Sequence, residues 1–383
     1  MRLTVKPSWV ARPPGAVTRR AVRVCFVIDR LSRAGTETQL LALLRHLDRS
    51  KVRPSLCLLS DGSGSQLIPS GDCPVLQLGL KKLVSPAAAV AATRLARFWR
   101  RQGTNVVVTY FLDSTYFAVP IARLCGIRRI VRVRNNAGYW LTPLHRRLGR
   151  MASKLCHFTL TNSEAGHESV LAADELPGDR VRVLQNGVDL DRFPVTPPSD
   201  TGREKVRIGA LANLRPVKNI DGLVRVAAEV CRSDPRVRFD VAGEGEQKPA
   251  LEAQIRAAEL ADRFSLRGAV ADVPGFLGSL DVAVLCSHSE SMSNALLEYM
   301  AAGRAIVATD VGSNATVVRH EREGLIVPPR DDQALQDAIK RLLAQPTLAR
   351  SLAIAARNRV AAEFSRDEMV RRFEDFFVSL VKG

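Results

Sequence analysis

Residues 281–310 read DVAVLCSHSESMSNALLEYMAAGRAIVATD. The stretch opens on one short apolar run, DVAVLC, and closes on another, RAIVATD (304–310), with the helical pattern ALLEYMAA between them. Short apolar runs bounded by polar turns read as buried strands. Strand, helix and strand in this order predict a parallel pair covered by the helix. Ser291, Ser293 and Asn294 are candidate N-caps, and Gly303 is a natural stop. One residue does not fit the apolar pattern. Glu298 stands in the second turn, and an ionised carboxylate away from water is costly unless something pairs with it. Either that face reaches solvent, or a ligand supplies the missing donors.

The same alternation extends in both directions. Upstream, strand candidates are 21–29, 55–60, 105–110, 130–134, 157–161 and 181–184, with helical patterns between most of them. The stretch FPVTPPSDTGREK (193–205) breaks the rhythm with prolines, small polar residues and charge, the marks of a domain linker. The alternation resumes at 206–211, 237–243, 264–268, 281–286, 304–310 and 324–328, and helical pattern fills 331–363. The expected organisation is a basic, disordered extension (1–20), an α/β domain over 21–195, a second over 196–363, and a helix over 364–383 that can cross back to the first. In open α/β sheets ligands bind beyond the carboxyl ends of the strands, so the expected site is the cleft between the two domains.

Charge separates the halves. Through Val195 there are 30 Lys and Arg against 13 Asp and Glu; from Thr196 there are 26 against 26. The entire net charge of +17 therefore belongs to the first half, which points to an anionic partner there: membrane surface, nucleic acid or phosphorylated substrate. Two basic amphipathic stretches lie on that side. TPLHRRLGRMASKL aligns Leu144, Leu148, Met151 and Leu155, with Arg146, Arg147, Arg150 and Lys154 elsewhere; TRLARFWRR sets Leu95, Phe98 and Trp99 beside Arg94, Arg97, Arg100 and Arg101. Such helices can lie on anionic membranes, although any one of them is more often a core helix with a solvated basic face. No apolar run is long enough to span a bilayer, and the first twenty residues lack the apolar segment of a secretory signal. The seven cysteines form no C-x-x-C pair and read as buried thiols of a reducing compartment. The expected location is cytoplasmic, peripheral to the inner face of the membrane.

Three loops could seat phosphate or sugar. RAGTE follows the first strand and brings Gly35 to a helix start. ALANLRPVKN (210–219) carries Asn213, Arg215 and Lys218 near another, where cations suit a diphosphate although an isolated Lys is more often a solvated one. GEGE (243–246) places Gly243 and Gly245 at a third, without the full spacing of a dinucleotide fingerprint. His46, His145 and His157 stand singly, and no His/Cys/Asp spacing suggests a metal.

With these residues in place, the chain resembles the retaining glycosyltransferases of family 4, which have the GT-B fold: two doubly wound Rossmann-like domains facing a central cleft. The resemblance is densest from VLQNGVDLDRF (183–193) to GLIVPP (324–329), and most specific in Glu290 and Glu298 with seven residues between them, followed by AAGRAIVATDVG. It implies a hexosyltransferase that moves a sugar from a nucleotide-sugar donor with retention at the anomeric carbon, without bound metal or cofactor. By position it implies that Glu298 holds the donor ribose hydroxyls and that Glu290 lies at the donor sugar and reacting face. Ser291, Met292, Ser293 and Asn294 would hold sugar or phosphate, Lys218 would neutralise the departing diphosphate, and Gly35 would line the cleft. Asn213 stands where relatives often carry Arg, with Arg215 as the nearest substitute; Arg134 and Asn135 stand on a loop where many carry His, on the acceptor side; Thr316 stands where Glu is frequent. With the basic first half, the expected acceptor is lipid-linked or a growing cell-surface polysaccharide. The alternatives are a sugar-nucleotide epimerase of the same fold, which acts on the donor alone, and a nucleic-acid-binding protein. The last needs base-stacking aromatics among the arginines, and the first domain is poor in them.

Overall fold

The computed structural model describes residues 21–31, 35–60, 73–135, 142–194 and 205–381. The extension 1–20, the domain boundary at 195/196 and the loop just after Asn135 lie outside those residues. In the first half, strands β1 (Val22–Ile28), β2 (Val52–Leu58), β3 (Val75–Gln77), β4 (Val106–Tyr110), β5 (Arg129–Val133), β6 (Phe158–Thr161) and β7 (Val181–Val183) form one sheet in the order β3-β2-β1-β4-β5-β6-β7. Helices α1 (Gly35–His46), α2 (Pro86–Gln102), α3 (Leu112–Leu124), α4 (Pro143–Leu155) and α5 (Glu164–Asp174) connect them. In the second half, β8 (Val206–Leu211), β9 (Val237–Ala242), β10 (Phe264–Gly268), β11 (Val282–Leu285), β12 (Ala305–Thr309) and β13 (Leu325–Val327) pair in the order β10-β9-β8-β11-β12-β13. Here the connecting helices are α6 (Ile220–Ser233), α7 (Lys248–Ala257), α8 (Val273–Gly278), α9 (Asn294–Ala301) and α10 (Asn314–Val317), followed by α11 (Asp332–Ala344), α12 (Pro346–Glu363) and α13 (Arg366–Leu380). Every pairing within both sheets is parallel.

Strand periodicity divides the core. Val24, Phe26 and Ile28 of β1 face one hydrophobic cluster, and Cys25 and Val27 face the other. Successive side chains of a strand point to opposite faces, and here both faces are covered. The first cluster is completed by a helix distant in sequence. Met369, Val370, Phe377 and Leu380 of α13 pack into it, with the Phe377 ring edge-on to Phe26 at 5.8 Å. α12 stays with the second domain, through Ala349, Leu352, Ala356 and Val360. The chain re-enters the first domain beside the stretch through which it leaves: Val188 donates to the Phe364 carbonyl (2.9 Å), and Arg366 donates to that of Val188 (2.8 Å).

The two basic amphipathic helices have opposite fates. α2 turns its apolar stripe inward, and Leu95 and Trp99 are buried on the β1–β4 face, so the expectation that this helix meets a membrane is corrected. α4 does the reverse. Its buried residues are Gly149, Ala152 and Ser153, whereas Leu144 (63% exposed), Leu148 (38%), Met151 (59%) and Leu155 (44%) face outward. A buried ionic cluster holds its underside. Arg132 donates to the Gly149 carbonyl (3.1 Å), to Ser153 Oγ (2.5 Å) and to Asp174 (3.1 Å), and Arg134 donates to the other oxygen of Asp174 (2.9 Å). Small residues let the backbone of α4 approach these guanidinium groups, and its large apolar side chains lie on the far side.

Candidate active site

The carboxyl end of β11 leads into the loop 286–293 and then α9. Ser293 caps that helix, its Oγ accepting from the Leu296 N–H at 3.4 Å, and Gly303 ends it in the left-handed region at φ +64°. Tyr299 anchors the helix between two strands. Its buried hydroxyl accepts from the Leu211 N–H (2.7 Å) and donates to the Val284 carbonyl (3.3 Å). Leu296, Leu297, Met300 and Ala301 bury the remaining apolar faces. Glu298 is left half-buried, and no group among the described residues donates a hydrogen bond to its carboxylate. Burial pushes its carboxyl up to about 7, against the weaker opposite pull of the Arg192 charge.

The loop after β8 meets the loop after β11. Lys218 Nζ lies 2.6 Å from Glu290 Oε1, and that oxygen also accepts from Ser287 Oγ at 2.7 Å. His288 donates its backbone N–H to the Val217 carbonyl (2.8 Å), tying the two loops together. The backbone N–H groups of Ser291, Met292 and Ser293 have no acceptor among the described residues. Arg215 is exposed on the same side and carries no ion pair among the described residues. Asn213 is exposed beside it. Gly243 and Gly245 are explained by packing within the domain: a Cβ on either would overlap the backbone of Ala212 or Leu214. Any phosphate contact they make is therefore through a loop already held against the β8 loop. Thr316 bonds the Ser313 carbonyl (2.8 Å).

Side chains of this loop also join the two domains. Asn294 Oδ1 accepts from Gln39 (3.2 Å) and Asn186 (2.8 Å), and its Nδ2 donates to the Gly35 carbonyl (3.1 Å). Ser291 Oγ donates to Asn162 (2.7 Å) and lies 3.0 Å from Ser163 Oγ. Met292 Sδ accepts from the Asn186 N–H (3.4 Å). Gly35 lines the junction, where a Cβ would stand 2.8 Å from Asn294 Nδ2. The side chains of Ser291, Met292 and Asn294 are thus engaged across the cleft, and the free backbone amides of Ser291 to Ser293 are what this loop can offer a ligand.

On the other side, Arg134 is 7% exposed and paired with Asp174. Its charge is committed inside the first domain, which corrects the expectation that it faces the acceptor. Asn135 remains at the end of β5, lining a small cavity with Gln39 and Asn186. Asn162, Ser163, Gln39 and Ser287 were not singled out from the sequence; their signal was position alone, just past a strand or near the start of α1. Among the described residues no group of three or more His, Cys, Asp or Glu side chains is arranged to hold a metal ion.

Comparison with known proteins agrees with this arrangement. Residues 33–192 match the family described as Glycosyltransferase Family 4, and residues 205–345 match the one described as Glycosyl transferases group 1. The D-inositol 3-phosphate glycosyltransferase of Frankia alni is 29% identical over 290 residues, 67% of this chain and 70% of that protein. The α-D-kanosaminyltransferase of Streptomyces kanamyceticus is 31% identical over 150 residues, 39% of either chain. Among solved structures, Anabaena HepE in complex with UDP superposes with a TM-score of 0.81 at 18% identity, covering 94% of this chain and 100% of that one. At that identity the likeness establishes the fold.

Proposed function

The chain belongs to the glycosyltransferases of family 4, with the GT-B fold, and on that premise we propose that it transfers a sugar from a nucleotide-sugar donor, with retention and without a metal ion, to a lipid-linked or polysaccharide acceptor at a membrane surface. The observation that carries the reading is the Lys218–Glu290 pair at 2.6 Å, on the loop that also holds the free amides of Ser291 to Ser293 and leads into the helix carrying the unpartnered carboxylate of Glu298. Glu298 accepts from the ribose hydroxyls, which supply the donors that the protein withholds. The amides and Lys218 receive the diphosphate. As the glycosidic bond to phosphate breaks, negative charge grows on the leaving oxygens, and a preorganised cation and amide dipoles stabilise it without reorganisation. Glu290, held by Lys218 and Ser287, lies at the sugar face. Arg215 adds a second, exposed cation in the role that Asn213 cannot fill.

The membrane part of the reading rests on α4. No helix among the described residues is long and apolar enough to cross a membrane. The outward Leu144, Leu148, Met151 and Leu155, with Arg146, Arg147 and Lys154 exposed beside them, form a surface that an anionic headgroup layer complements in both charge and polarity. The identities of acceptor, sugar and base are set by pocket shape. The test is release of free nucleotide from a panel of UDP-, GDP- and ADP-sugars, beginning with UDP-sugars, with and without lipid-linked glycan. Transfer of a labelled sugar from one of them supports the reading; interconversion of the donor sugar without transfer rejects it in favour of an epimerase.

A further inference from the structure

The free amides of Ser291 to Ser293 have no hydrogen bonds of their own to fix their direction among the described residues, so the direction is set by whatever holds the rest of the loop. On the side of its own domain, Ser313 donates its backbone N–H (2.9 Å) and its Oγ (2.7 Å) to the Ser291 carbonyl, and Ser293 caps α9. The side-chain hydrogen bonds of Ser291, Met292 and Asn294 all go, among the described residues, to the first domain or to the segment that leaves it. Two first-domain side chains are themselves fixed before they reach the loop. Gln39 of α1 holds the backbone of Gly187 at both ends of its amide: Oε1 accepts from the Gly187 N–H (3.2 Å) and Nε2 donates to the Gly187 carbonyl (2.8 Å). A primary amide has two N–H groups, and the second goes to Asn294 Oδ1 (3.2 Å). Gly187 is wedged in turn against the start of α13, where a Cβ on it would stand 2.8 Å from Met369 Cβ and from the Ser365 carbonyl oxygen. Asn162, just past β6, is 4% exposed, and its Oδ1 accepts from Ser291 Oγ at 2.7 Å. Its neighbour Ser163 anchors it by capping α5, accepting from the Gly166 N–H at 3.1 Å.

We propose that Gln39 and Asn162 are positioning residues for sugar transfer: from the first domain they set the direction of the Ser291–Ser293 amides, so that the donor site is complete only when both domains hold the loop. The inference rests on the donor role given to these amides above. Amide dipoles stabilise charge on a leaving group when their orientation is set before the reaction. A loop tied through Ser291 at one end and Asn294 at the other has that orientation; a loop tied at one end alone has lost it. Neither Gln39 nor Asn162 touches the sugar nucleotide in this scheme.

The test makes the same isosteric change, amide to acid, at both positions, because its consequences are opposite. Gln39→Glu loses both N–H groups and turns an oxygen toward Gly187 and Asn294, whereas Asn162→Asp keeps the oxygen that accepts from Ser291. In steady-state transfer by the full-length protein, Gln39→Glu and Asn162→Leu should each lower kcat about tenfold, the size of one lost hydrogen bond. The donor KM should rise less, since misdirected amides matter most where charge grows in the transition state. Asn162→Asp should recover most of the loss. Hydrogen exchange without ligand reads the tie itself and does not depend on transfer. The amides of Leu296 and Leu297, which Ser293 holds in the first turn of α9, should exchange about tenfold faster in Gln39→Glu and Asn162→Leu, and those of β11 should not change. A wild type that transfers no sugar while the variants show this exchange pattern refutes the glycosyltransferase reading and supports the tie. Wild-type exchange in both variants overturns the proposal, as does an Asn162→Asp protein as impaired as Asn162→Leu. Faster exchange that extends to β11 in Gln39→Ala as well as in Gln39→Glu overturns it in favour of a general loosening of the fold.

Discussion

Replacing Glu298 by Gln keeps the shape of α9 and removes one charge. Two opposing effects follow. In the free protein the carboxyl sits at about 7 in place of its ordinary 4.5, because burial disfavours the charged form. The folded state therefore holds this proton through a window in which the unfolded chain has lost it, and stability contributed by the protonated form falls as pH rises from 4.5 to 7. The full difference corresponds to roughly 3 kcal/mol; for a half-buried group, solvent screening lowers it to about 1–2 kcal/mol. Glu298→Gln should recover that amount above pH 7 and be more resistant to denaturant than wild type. Donor binding should change the other way. Hydroxyl donors favour the ionised form, so wild-type affinity should rise about tenfold between pH 6 and pH 8, as the ionised fraction of a group titrating near 7 does. The variant should show no such rise and should bind donor about 1–3 kcal/mol more weakly at pH 8, the range for losing a charged hydrogen bond. Calorimetry at pH 6, 7 and 8, with urea unfolding alongside, reads both. A variant that binds donor as tightly as wild type, with the same pH dependence, refutes the assignment.

Lys218→Ala should reduce turnover at saturating donor by about 10²-fold or more; a loss of only a few-fold moves the leaving-group role to Arg215 and the amides. Transfer should survive EDTA, since in the proposed reading Lys218 and the amide groups meet the diphosphate charge; activity that vanishes with EDTA and returns with Mg²⁺ or Mn²⁺ contradicts this. Each Lys or Arg near an anionic surface contributes about 1 kcal/mol and fades within a Debye length, so Arg146→Glu/Arg147→Glu/Arg150→Glu should abolish co-sedimentation with anionic vesicles at low salt. Equal binding to neutral and anionic vesicles, or none to either, removes the membrane from the reading.

The alternation of strands and helices was legible because both faces of each sheet are covered, which makes every strand a dense apolar run. Strand β3 escaped notice: three residues at a sheet edge, with Val75 and Gln77 exposed, carry almost no pattern. Amphipathicity identified α2 and α4 as equals, but periodicity does not say which way a stripe points. The difference arises from what lies beneath. Under α2 is an apolar sheet face, and under α4 is the Arg132–Asp174–Arg134 cluster, assembled from residues far apart in sequence. Glu290, Glu298 and Lys218 were singled out through the family resemblance, and the structure sets Lys218 beside Glu290. The contacts of Asn294 could not be anticipated, because its partners Gln39 and Asn186 are brought to it only by the closure of two domains. For the same reason Arg134 looked available until Asp174 arrived from the end of α5.

The return of α13 has a bearing on biosynthesis. Its Phe377 fills the core beside Phe26, and its Glu374 holds the turn at Asp48 and Lys51. Domains generally fold as units while they emerge from the ribosome, the N-terminal one first. Here the sheet that emerges first waits, with one apolar face only partly covered by α1, until residue 380 has been translated. Meanwhile the second sheet, whose helices all precede α13, is complete. The order of maturation is then reversed relative to the order of synthesis, and the nascent first half is the species for which a chaperone has a surface to hold.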